Sequence, residues 1–307
     1  VAADERGGGL MAGGTAWWAQ VVARATQLGG VRLDADGLAY AIPAFLNATE
    51  VVALVRIGME TRGDKGFFEH DERMNVPALR SIEERVAELT GVAPHPKGGD
   101  LGMQARWAHD YDTNNPLHHD MNRAPRRVAT VIMYLTNAGG GDTMFPCLRA
   151  RTGDGGGAVT SQAAADGQLE GGVGSVGASG RTFASGSACA QLVRGFEQLG
   201  KRELPSRGTY REDAQRQFPA SEISWAPEAD TAAFQMCQNG SGVRMHPARG
   251  AALVFVSSED PRAERPLPFM WHRGCHVKHG VKMMITKFVA RREIWGDQQR
   301  EHDDFWA

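Results

Sequence analysis

The sequence predicts an α+β fold that is mainly β, an antiparallel barrel or jelly roll with helices in front of it. Three observations lead to this prediction. Amphipathic helical patterns occupy the N-terminal third of the chain. Short runs rich in β-branched and aromatic residues follow, separated by Gly, Pro and Asn turns. A Gly-rich stretch interrupts these runs and has too few large apolar side chains to form a core of its own.

The helices are predicted from apolar spacing and from capping residues. Residues 15–28 carry apolar side chains at helical spacing. Asn47 is a good N-cap, and Glu50, three residues later, completes the pattern that begins a second helix. Residues 79–89 form a third amphipathic pattern, which Gly91 is expected to end. These helices should cover one side of a sheet.

The strands are predicted from short β-rich runs between turn residues. They are expected at residues 33–42, 103–107, 117–121, 127–135, 142–145, 242–246, 251–256, 270–276 and 282–290. The charged stretch over residues 64–74 is expected to be a loop.

The chain divides into one main domain with additions. We expect residues 1–37 to be an N-terminal extension with one helix, residues 38–295 to be the main domain, and residues 296–307 to be a tail. The Gly-rich region, residues 149–236, is expected to be an insertion on a loop at the barrel mouth. A tolerated surface insertion is the favoured interpretation, and a lid or a docking surface for a protein partner is the alternative.

Composition excludes some classes of function. The 307 residues, 42% of them hydrophobic, suffice for one large core or two small ones. A net charge of -2 and a pI near 6.6 give no electrostatic footprint for nucleic acid. No apolar run approaches the ~18 residues of a transmembrane helix. The four cysteines are too few for a disulfide scaffold, and they leave the redox compartment open.

The most informative motif is Leu117-His118-His119-Asp120. Side chains alternate along a strand, so His118 and Asp120 should point the same way and His119 the other. An imidazole beside a carboxylate supplies two-thirds of a facial triad for Fe(II), which needs one more His. Without that third ligand, the two residues would more often be a structural pair.

The best segment for the third ligand comes late in the chain, around His272. Lys282 lies ten residues further on, in a β-rich run, so both side chains can reach one open end of a barrel. A buried lysine beside a metal needs an anionic partner. A dicarboxylic co-substrate that binds the metal at one end and Lys282 at the other would supply it.

Several blocks of the sequence occur in the order that is typical of one enzyme family. In chain order, they are Phe45-Leu46 with Glu50, residues 82–91, His118-x-Asp120, Arg127 with Thr130 and Tyr134-Leu135, residues 140–146, Pro247 with Gly250, Ala251, Leu253 and Phe255, and His272-x-Gly274-Cys275-x-Val277 with Gly280 and Lys282. They resemble the prolyl 4-hydroxylase group of Fe(II)/2-oxoglutarate-dependent dioxygenases. The resemblance covers roughly residues 38–290 without the insertion, and it implies a double-stranded β-helix (jelly-roll) core.

The resemblance also implies roles for individual residues. His118, Asp120 and His272 would be the iron ligands. Lys282, helped by Thr143, would bind the distal carboxylate of 2-oxoglutarate. No catalytic side chain beyond the metal site is implied.

The chain departs from the family pattern at several positions. Trp107 stands where the family usually has a Tyr that also touches the co-substrate, and Tyr111 is the candidate to replace that Tyr. His276 replaces the family's Pro, and Met283 replaces its Trp. These departures bear on the substrate more than on the chemistry.

By resemblance, the function is hydroxylation of a peptidyl substrate, with prolyl residues in an extended, Pro-rich segment as the expected site. O2 would be the second co-substrate and ascorbate the reductant. The resemblance implies the secretory pathway (endoplasmic reticulum or Golgi), with an organelle as the alternative. Cys237 and Cys275 flank matching blocks and are candidates for a disulfide, which the sequence leaves open.

Two other functions compete with this one. The first is a non-catalytic subunit of a larger assembly, which would keep the dioxygenase fold and dock through its insertion. The intact triad and Lys282 argue against it. The second is a zinc hydrolase that uses two His and one Asp. It is the weaker alternative because it leaves Lys282 unexplained.

Overall fold

The structure is a computed structural model. It describes residues 15–61, 65–68, 70–94, 103–108, 117–120, 127–151, 189–190, 227–258 and 267–290. Most of the β-structure among these residues is antiparallel, and most of the helices precede it, as the sequence predicts.

Helices and strands have the following bounds. The helices are α1 (Thr15–Gln27), α2 (Ala48–Thr61), α3 (His70–Asn75), α4 (Pro77–Thr90) and α5 (Pro227–Asn239). The strands are β1 (Val31–Arg32), β2 (Ala39–Ile42), β3 (Lys65–Phe67), β4 (Met103–Ala108), β5 (Arg127–Tyr134), β6 (Gly139–Gly140), β7 (Thr143–Phe145), β8 (Val243–Met245), β9 (Ala252–Val256), β10 (Arg273–Gly274), β11 (Val277–His279) and β12 (Lys282–Ala290). None of the helices in the described residues has the length and apolar character that a membrane crossing requires.

A seven-stranded antiparallel sheet forms the larger half of the core. Its strand order is β1-β2-β9-β5-β12-β4-β3. β5 and β12 lie side by side near its centre, and every residue of both strands is buried. A strand that is covered on both faces reads as a nearly continuous apolar run, which explains why neither strand shows clean alternation in the sequence.

A smaller sheet, with strand order β10-β7-β8, faces the larger one. His118 extends it by a single bridge, because its N–H and C=O both bond to the backbone of His272, at 2.9 and 2.8 Å. The next residue, Arg273, pairs with β7 on the opposite edge. The Phe145 and Phe255 rings meet between the two sheets, with centroids 5.1 Å apart. Two facing antiparallel sheets with helices outside them are the arrangement that the sequence predicts.

Two predicted helix ends are confirmed, although α4 begins at Pro77, two residues before the predicted start. The N–H of Asn47 donates to the Glu50 carboxylate and the N–H of Glu50 donates to the Asn47 side chain, each at 2.9 Å, so α2 begins with the predicted capping box. Gly91 ends α4 at a φ of 70°, and its N–H donates to the carbonyl of Ala87.

The predicted loop over residues 64–74 is wrong in the part that the structure describes. β3 pairs with β4 there, and α3 follows. Arg73 of α3 is buried and donates to Glu83 of α4 at 2.6 Å, and the same carboxylate oxygen accepts from Lys287 of β12 at 2.9 Å. The sequence suggests a loop here because the carboxylate that pairs with Arg73 comes from another element and is not apparent from neighbouring residues.

Three predicted strands are shorter than expected, and in the described part of residues 117–121 only His118 forms a β-bridge. The run over residues 33–42 continues as a strand only from Ala39, because the Asp34 carboxylate accepts three backbone N–H groups and holds a turn. The run over residues 270–276 contains the end of a 3₁₀ turn and then the two residues of β10.

The predicted insertion, residues 149–236, lies mostly outside the described residues. Its described end belongs to α5, where Ala229 and Ala233 are fully buried in the core. Two disulfides lie at this region: Cys147–Cys189 joins a residue just before it to one within it, and Cys237–Cys275, the candidate pair, joins two residues that follow it. All four cysteines are therefore paired.

The buried carboxylate of Glu83 should be a major stabilising group. Glu83→Gln is expected to lower the free energy of unfolding by about 3–5 kcal/mol, because it leaves two buried cations without their anion. Urea unfolding followed by circular dichroism measures this loss. Glu84→Gln is the matched control on the same helix. Its surface pair with Arg80 is worth below about 0.5 kcal/mol, and equal losses in the two variants would contradict the prediction.

Candidate metal centre

Three potential metal ligands from distant parts of the chain meet between the two sheets. One ligand atom from each of His118, Asp120 and His272 lies within 4.8 Å of the other two. The Oδ1 atom of Asp120 is 3.7 Å from the Nε2 atom of each histidine. The backbone bridge between His118 and His272 places their rings 4.3 Å apart, so the pairing of the chain itself brings the imidazoles together.

The ring of His272 is held in one tautomer. Its Nδ1 lies 3.0 Å from the carbonyl oxygen of Met270, which can only accept, so Nδ1 carries the hydrogen. In its neutral form the ring therefore presents the lone pair of Nε2 towards Asp120. The ring is 3% exposed and contacts the rings of Phe145 and Phe255, at centroid distances of 5.4 and 4.9 Å. These contacts fix the plane of the imidazole.

The carboxylate of Asp120 is oriented by two residues of β5. The Thr130 hydroxyl donates to Oδ2 at 2.7 Å, which leaves Oδ1 facing the histidines. Arg127 donates to the backbone carbonyl of Asp120 at 3.0 Å, and its guanidinium stacks 3.7 Å above the Phe288 ring. Burial by itself raises the pKa of Asp120, but the nearby charges, first His272 and then His118, together with the Thr130 hydrogen bond, outweigh it and lower the pKa.

His119 lies outside this cluster of ligand atoms. It is buried, and its ring packs edge-on against Trp271 with centroids 4.7 Å apart. Burial lowers the pKa of His119 to about 4, so the side chain is neutral at physiological pH. This packing agrees with the alternation that the motif predicts.

The separations between the Asp120 oxygen and the two histidine nitrogens suit a single divalent ion. Two ligands that lie about 2.1 Å from an ion can be up to about 4.2 Å apart, and the 3.7 Å separations fall within that limit. Two neutral imidazoles with one carboxylate oxygen are the donor set of the facial triad that suits non-heme Fe(II). Three ligands leave further positions open to other molecules.

A buried lysine lies in the same interior. The ammonium of Lys282 is 3.5 Å from the Thr143 hydroxyl and 5.6 Å from the centre of the Tyr134 ring. In the part of the chain that the structure describes, no carboxylate forms an ion pair with it. Burial lowers the pKa of Lys282 to about 8, although Asp142 acts in the opposite direction.

The Thr143 hydroxyl receives two donors. The Tyr134 hydroxyl donates to it at 2.9 Å, and Lys282 does so from the other side. Its own hydrogen is then free to be donated to an acceptor. Thr143 and Lys282 together form a polar spot, and no carboxylate among the described residues pairs with its ammonium.

A second buried lysine on the same strand differs from Lys282 in having a carboxylate partner among the described residues. Lys287 lies an odd number of residues from Lys282, so it faces the other side of β12, where it donates to Glu83 at 2.9 Å. The fold supplies a carboxylate to this lysine. Among the described residues it supplies none to Lys282.

The polar spot lies beside the ligand cluster on one face of the smaller sheet. Thr143 pairs directly with Gly274, so the two share a face, and His272 shares that face because it lies two residues from Gly274. Diagonal neighbours of this kind are about 7–8 Å apart. A small molecule with two anionic ends can span that distance.

Two glycines bring the turn before Thr143 against the lysine. Gly140 and Gly141 have φ values of 76° and 72°. A Cβ at Gly140 would lie 2.6 Å from the carbonyl oxygen of His276, and one at Gly141 would lie 3.2 Å from Cδ of Lys282. Side chains at these positions would push the turn away from the site.

The structure thus brings together five of the six residues that the sequence singles out: His118, Asp120, Thr143, His272 and Lys282. Their roles as ligands of iron and of a co-substrate remain predictions.

The sixth residue, Tyr111, lies outside the described residues. Trp107 is placed by its backbone, which pairs with Met283 across β4 and β12. The part that either side chain plays remains a prediction.

Sequence reasoning missed three polar residues around the cluster. The sequence indicates them only as residues of one matching block. Thr130 orients Asp120, and Tyr134 donates to Thr143. Thr130 and Tyr134 lie on β5 at an even spacing, so strand alternation gives the signal that they share a face. Arg127 is buried and bonds to the backbone of Asp120.

Comparison with solved structures returns proteins of similar fold. A viral collagen prolyl hydroxylase from Paramecium Bursaria Chlorella virus-1 is 14% identical, with a TM-score of 0.44, and the match covers 83% of this chain and 91% of that one. A prolyl-4-hydroxylase from Pseudomonas putida is 12% identical, with a TM-score of 0.38 over 89% of this chain and 92% of that one. The non-heme alpha ketoglutarate dependent epimerase SnoN, from nogalamycin biosynthesis, is 12% identical, with a TM-score of 0.39 over 90% of this chain and 84% of that one.

No protein-family model and no curated protein matches the sequence. Prolyl hydroxylases, which the sequence blocks resemble, are thus among the solved structures that this chain is similar to. With TM-scores below 0.5, these similarities assign neither a reaction nor a substrate to this chain. The chemistry of this chain follows from its own site.

The hydrogen bond from Thr130 should control the carboxylate of Asp120. Thr130→Val is expected to raise the pKa of Asp120 in the metal-free protein, because the charged form loses a donor. Affinity for Mn(II) should fall about tenfold. Carbon-13 NMR of the carboxyl groups gives the pKa, and calorimetry gives the affinity. Thr286→Val, at another buried threonine, is the control, and an unchanged pKa in Thr130→Val would contradict the prediction.

Proposed function

We propose that this protein is an Fe(II)/2-oxoglutarate-dependent oxygenase. The observation that carries the proposal is the convergence of two imidazoles and one carboxylate beside Lys282, a buried cation that has no carboxylate partner among the described residues. The ligand cluster alone would also suit zinc, as in a hydrolase. Zinc-assisted hydrolysis gives no reason to bury an unpaired ammonium, whereas a chelating dicarboxylate does.

The residues of the site have distinct tasks in this proposal. Bound Fe(II) would supply the activation of O2 that the protein's own side chains cannot provide. His118, Asp120 and His272 would occupy one face of the ion and leave the other face open. Thr130 holds Oδ2 of Asp120, so Oδ1 would face the ion, and the carbonyl of Met270 holds the Nδ1 hydrogen of His272, so Nε2 would be the ligand atom. The aromatic rings packed against His272 would help to exclude water from the bound ion.

The co-substrate would lie along the same face of the smaller sheet. One end of 2-oxoglutarate would chelate the metal, and the distal carboxylate would accept from Lys282 and from the free hydrogen of Thr143. The separation of about 7–8 Å between neighbouring positions on this face suits a five-carbon diacid. Burial makes this charge pair stronger than it would be in water.

The substrate part of the proposal is hydroxylation of a peptide, most simply at prolyl residues. It is supported by the order of sequence blocks that resembles prolyl 4-hydroxylases. An extended Pro-rich segment loses little conformational entropy on binding a groove. O2 would be consumed together with 2-oxoglutarate, and ascorbate would keep the metal reduced.

Turnover tests the class of reaction. With Fe(II), ascorbate, 2-oxoglutarate and proline-rich peptides, we expect release of succinate and a mass increase of one oxygen atom in the peptide. His272→Ala should lower metal affinity by at least about 100-fold, because it removes a ligand rather than the support of one. His70→Ala, which changes a surface histidine of α3, should leave both measurements unchanged.

The mechanism and the substrate in this proposal can be disproved separately. If the protein binds no divalent metal, the oxygenase mechanism is wrong. If it turns over 2-oxoglutarate but hydroxylates no prolyl peptide, only the substrate is wrong.

The charge of Lys282 should govern the affinity for 2-oxoglutarate. Its pKa in the free protein is about 8, so the ammonium is present below pH 8 and is lost as the pH rises above it. The KM for 2-oxoglutarate should therefore rise between pH 8 and pH 10, by up to about tenfold per pH unit.

Substitution separates this effect from other titrations. Lys282→Met should raise the KM for 2-oxoglutarate by about 30-fold or more, the equivalent of about 2 kcal/mol, and should abolish its pH dependence. Lys278→Met, at an exposed lysine of β11, is the control. A KM that stays constant from pH 7 to pH 10 in the unaltered protein would contradict a role for Lys282.

A further inference from the structure

One face of α5 contacts both segments that carry the histidines. Asp230, Phe234 and Cys237 are spaced so that they lie along the same side of the helix. Asp230 and Phe234 contact Arg273, and Cys237 forms a disulfide with Cys275. These partners come just after His272 in the chain, and Asp230 also reaches the residue just before His118.

A single carboxylate oxygen ties the two segments together. Oδ1 of Asp230 accepts the backbone N–H of Leu117 at 2.9 Å and also accepts from Nη1 of Arg273. Leu117 immediately precedes His118, and Arg273 immediately follows His272. The carboxylate is thus bonded to the neighbours of both histidines, although it lies in neither segment.

The bond to Leu117 satisfies a group that the sheet cannot pair. The N–H and C=O of His118 point to His272, so in the alternating pattern of a strand the N–H of Leu117 points away from that neighbour. Leu117 is fully buried, and a buried N–H without an acceptor is costly. Asp230 supplies the acceptor at this point.

The helix itself is fixed at more than one place. The guanidinium of Arg273 pairs with Asp230 and also lies 5.2 Å from the centre of the Phe234 ring, about one helical turn further along α5. The Cys237–Cys275 disulfide, with Cα atoms 5.4 Å apart, fastens the following turn of α5. A helix held in this way can set the position of the segments that it touches.

We propose that Asp230 is a positioning residue of the metal centre, which sets the separation and orientation of His118 and His272. This inference rests on the proposed function, because it concerns metal binding at the same cluster. Asp230 contributes no ligand. It acts through the backbone of Leu117 and the side chain of Arg273, and it lies on a helix that the sequence assigns to the insertion.

The test compares Asp230→Ala, Asp230→Asn and Asp230→Glu in the full chain. Co(II) serves as the probe, since its affinity and its visible absorption spectrum both report the arrangement of ligands. In the metal-free protein, hydrogen exchange at the Leu117 amide reports the bond to Asp230 directly. Asp36→Ala is the matched control, because Asp36 also pairs with an arginine, Arg149, but does so at the turn before β2.

We expect a graded result. Asp230→Ala should bind Co(II) about tenfold more weakly, with a shifted visible spectrum and faster exchange at the Leu117 amide. Asp230→Asn should fall between Asp230→Ala and the unaltered protein, because the amide oxygen still accepts but carries no charge. Asp230→Glu should recover part of the affinity through Arg273.

Three outcomes would overturn the inference. The first is unaltered Co(II) affinity and spectrum in Asp230→Ala, or in Asp230→Asn if the alanine variant does not fold. The second is an equal loss of affinity in Asp36→Ala, which would mean general destabilisation. The third is failure of the unaltered protein to bind Co(II) or Fe(II), which would overturn the proposed function and this inference with it. The first two outcomes leave the proposed function intact.

Discussion

The pairing of His118 with His272 is the constraint on which the site depends. Two backbone hydrogen bonds, at 2.9 and 2.8 Å, join these residues across the edge of the smaller sheet. They bring the imidazole rings to 4.3 Å before any ligand is considered. The conformational cost of assembling the cluster is therefore met by folding rather than by binding. Thr130 then needs only to orient one carboxylate for the cluster to be complete.

The two buried lysines of β12 show how the same fold can serve stability and binding. Lys287 faces α4 and is paired with Glu83, whose carboxylate also accepts from Arg73. Lys282 faces the space between the sheets, where its described neighbours are hydroxyl and aromatic groups. A buried cation with its own carboxylate contributes to the free energy of folding, whereas one that lacks a carboxylate is suited to an incoming anion. The alternation of the strand assigns the two roles to opposite faces.

The end of the insertion is part of the site's support. α5 begins within the region that composition marks as an insertion, yet its buried alanines join the core and its carboxylate at Asp230 reaches both histidine segments. Disulfides fasten residues near both ends of this region, at Cys147 and at Cys237. Paired cysteines of this kind are typical of proteins that fold in oxidising compartments.

Features that depend on short-range spacing and on residue chemistry can be predicted from the amino-acid sequence. The His118-x-Asp120 pair, a late histidine at position 272 and a lysine at position 282 could be read from the chain, as could the capping box of Asn47 and Glu50. Their chemical types restrict what such residues can bind.

The side chains that support the ligands can be identified only from the folded chain. Nothing near Thr130 or Asp230 in the sequence indicates that one bonds to Asp120 and the other to Leu117 and Arg273. The charged stretch that holds Arg73 likewise suggested a loop, because the carboxylate that pairs with Arg73 comes from another element, at Glu83 of α4. Hydrogen bonds and ion pairs between distant segments leave no periodic trace in a sequence, since they depend on where the chain crosses itself rather than on local spacing.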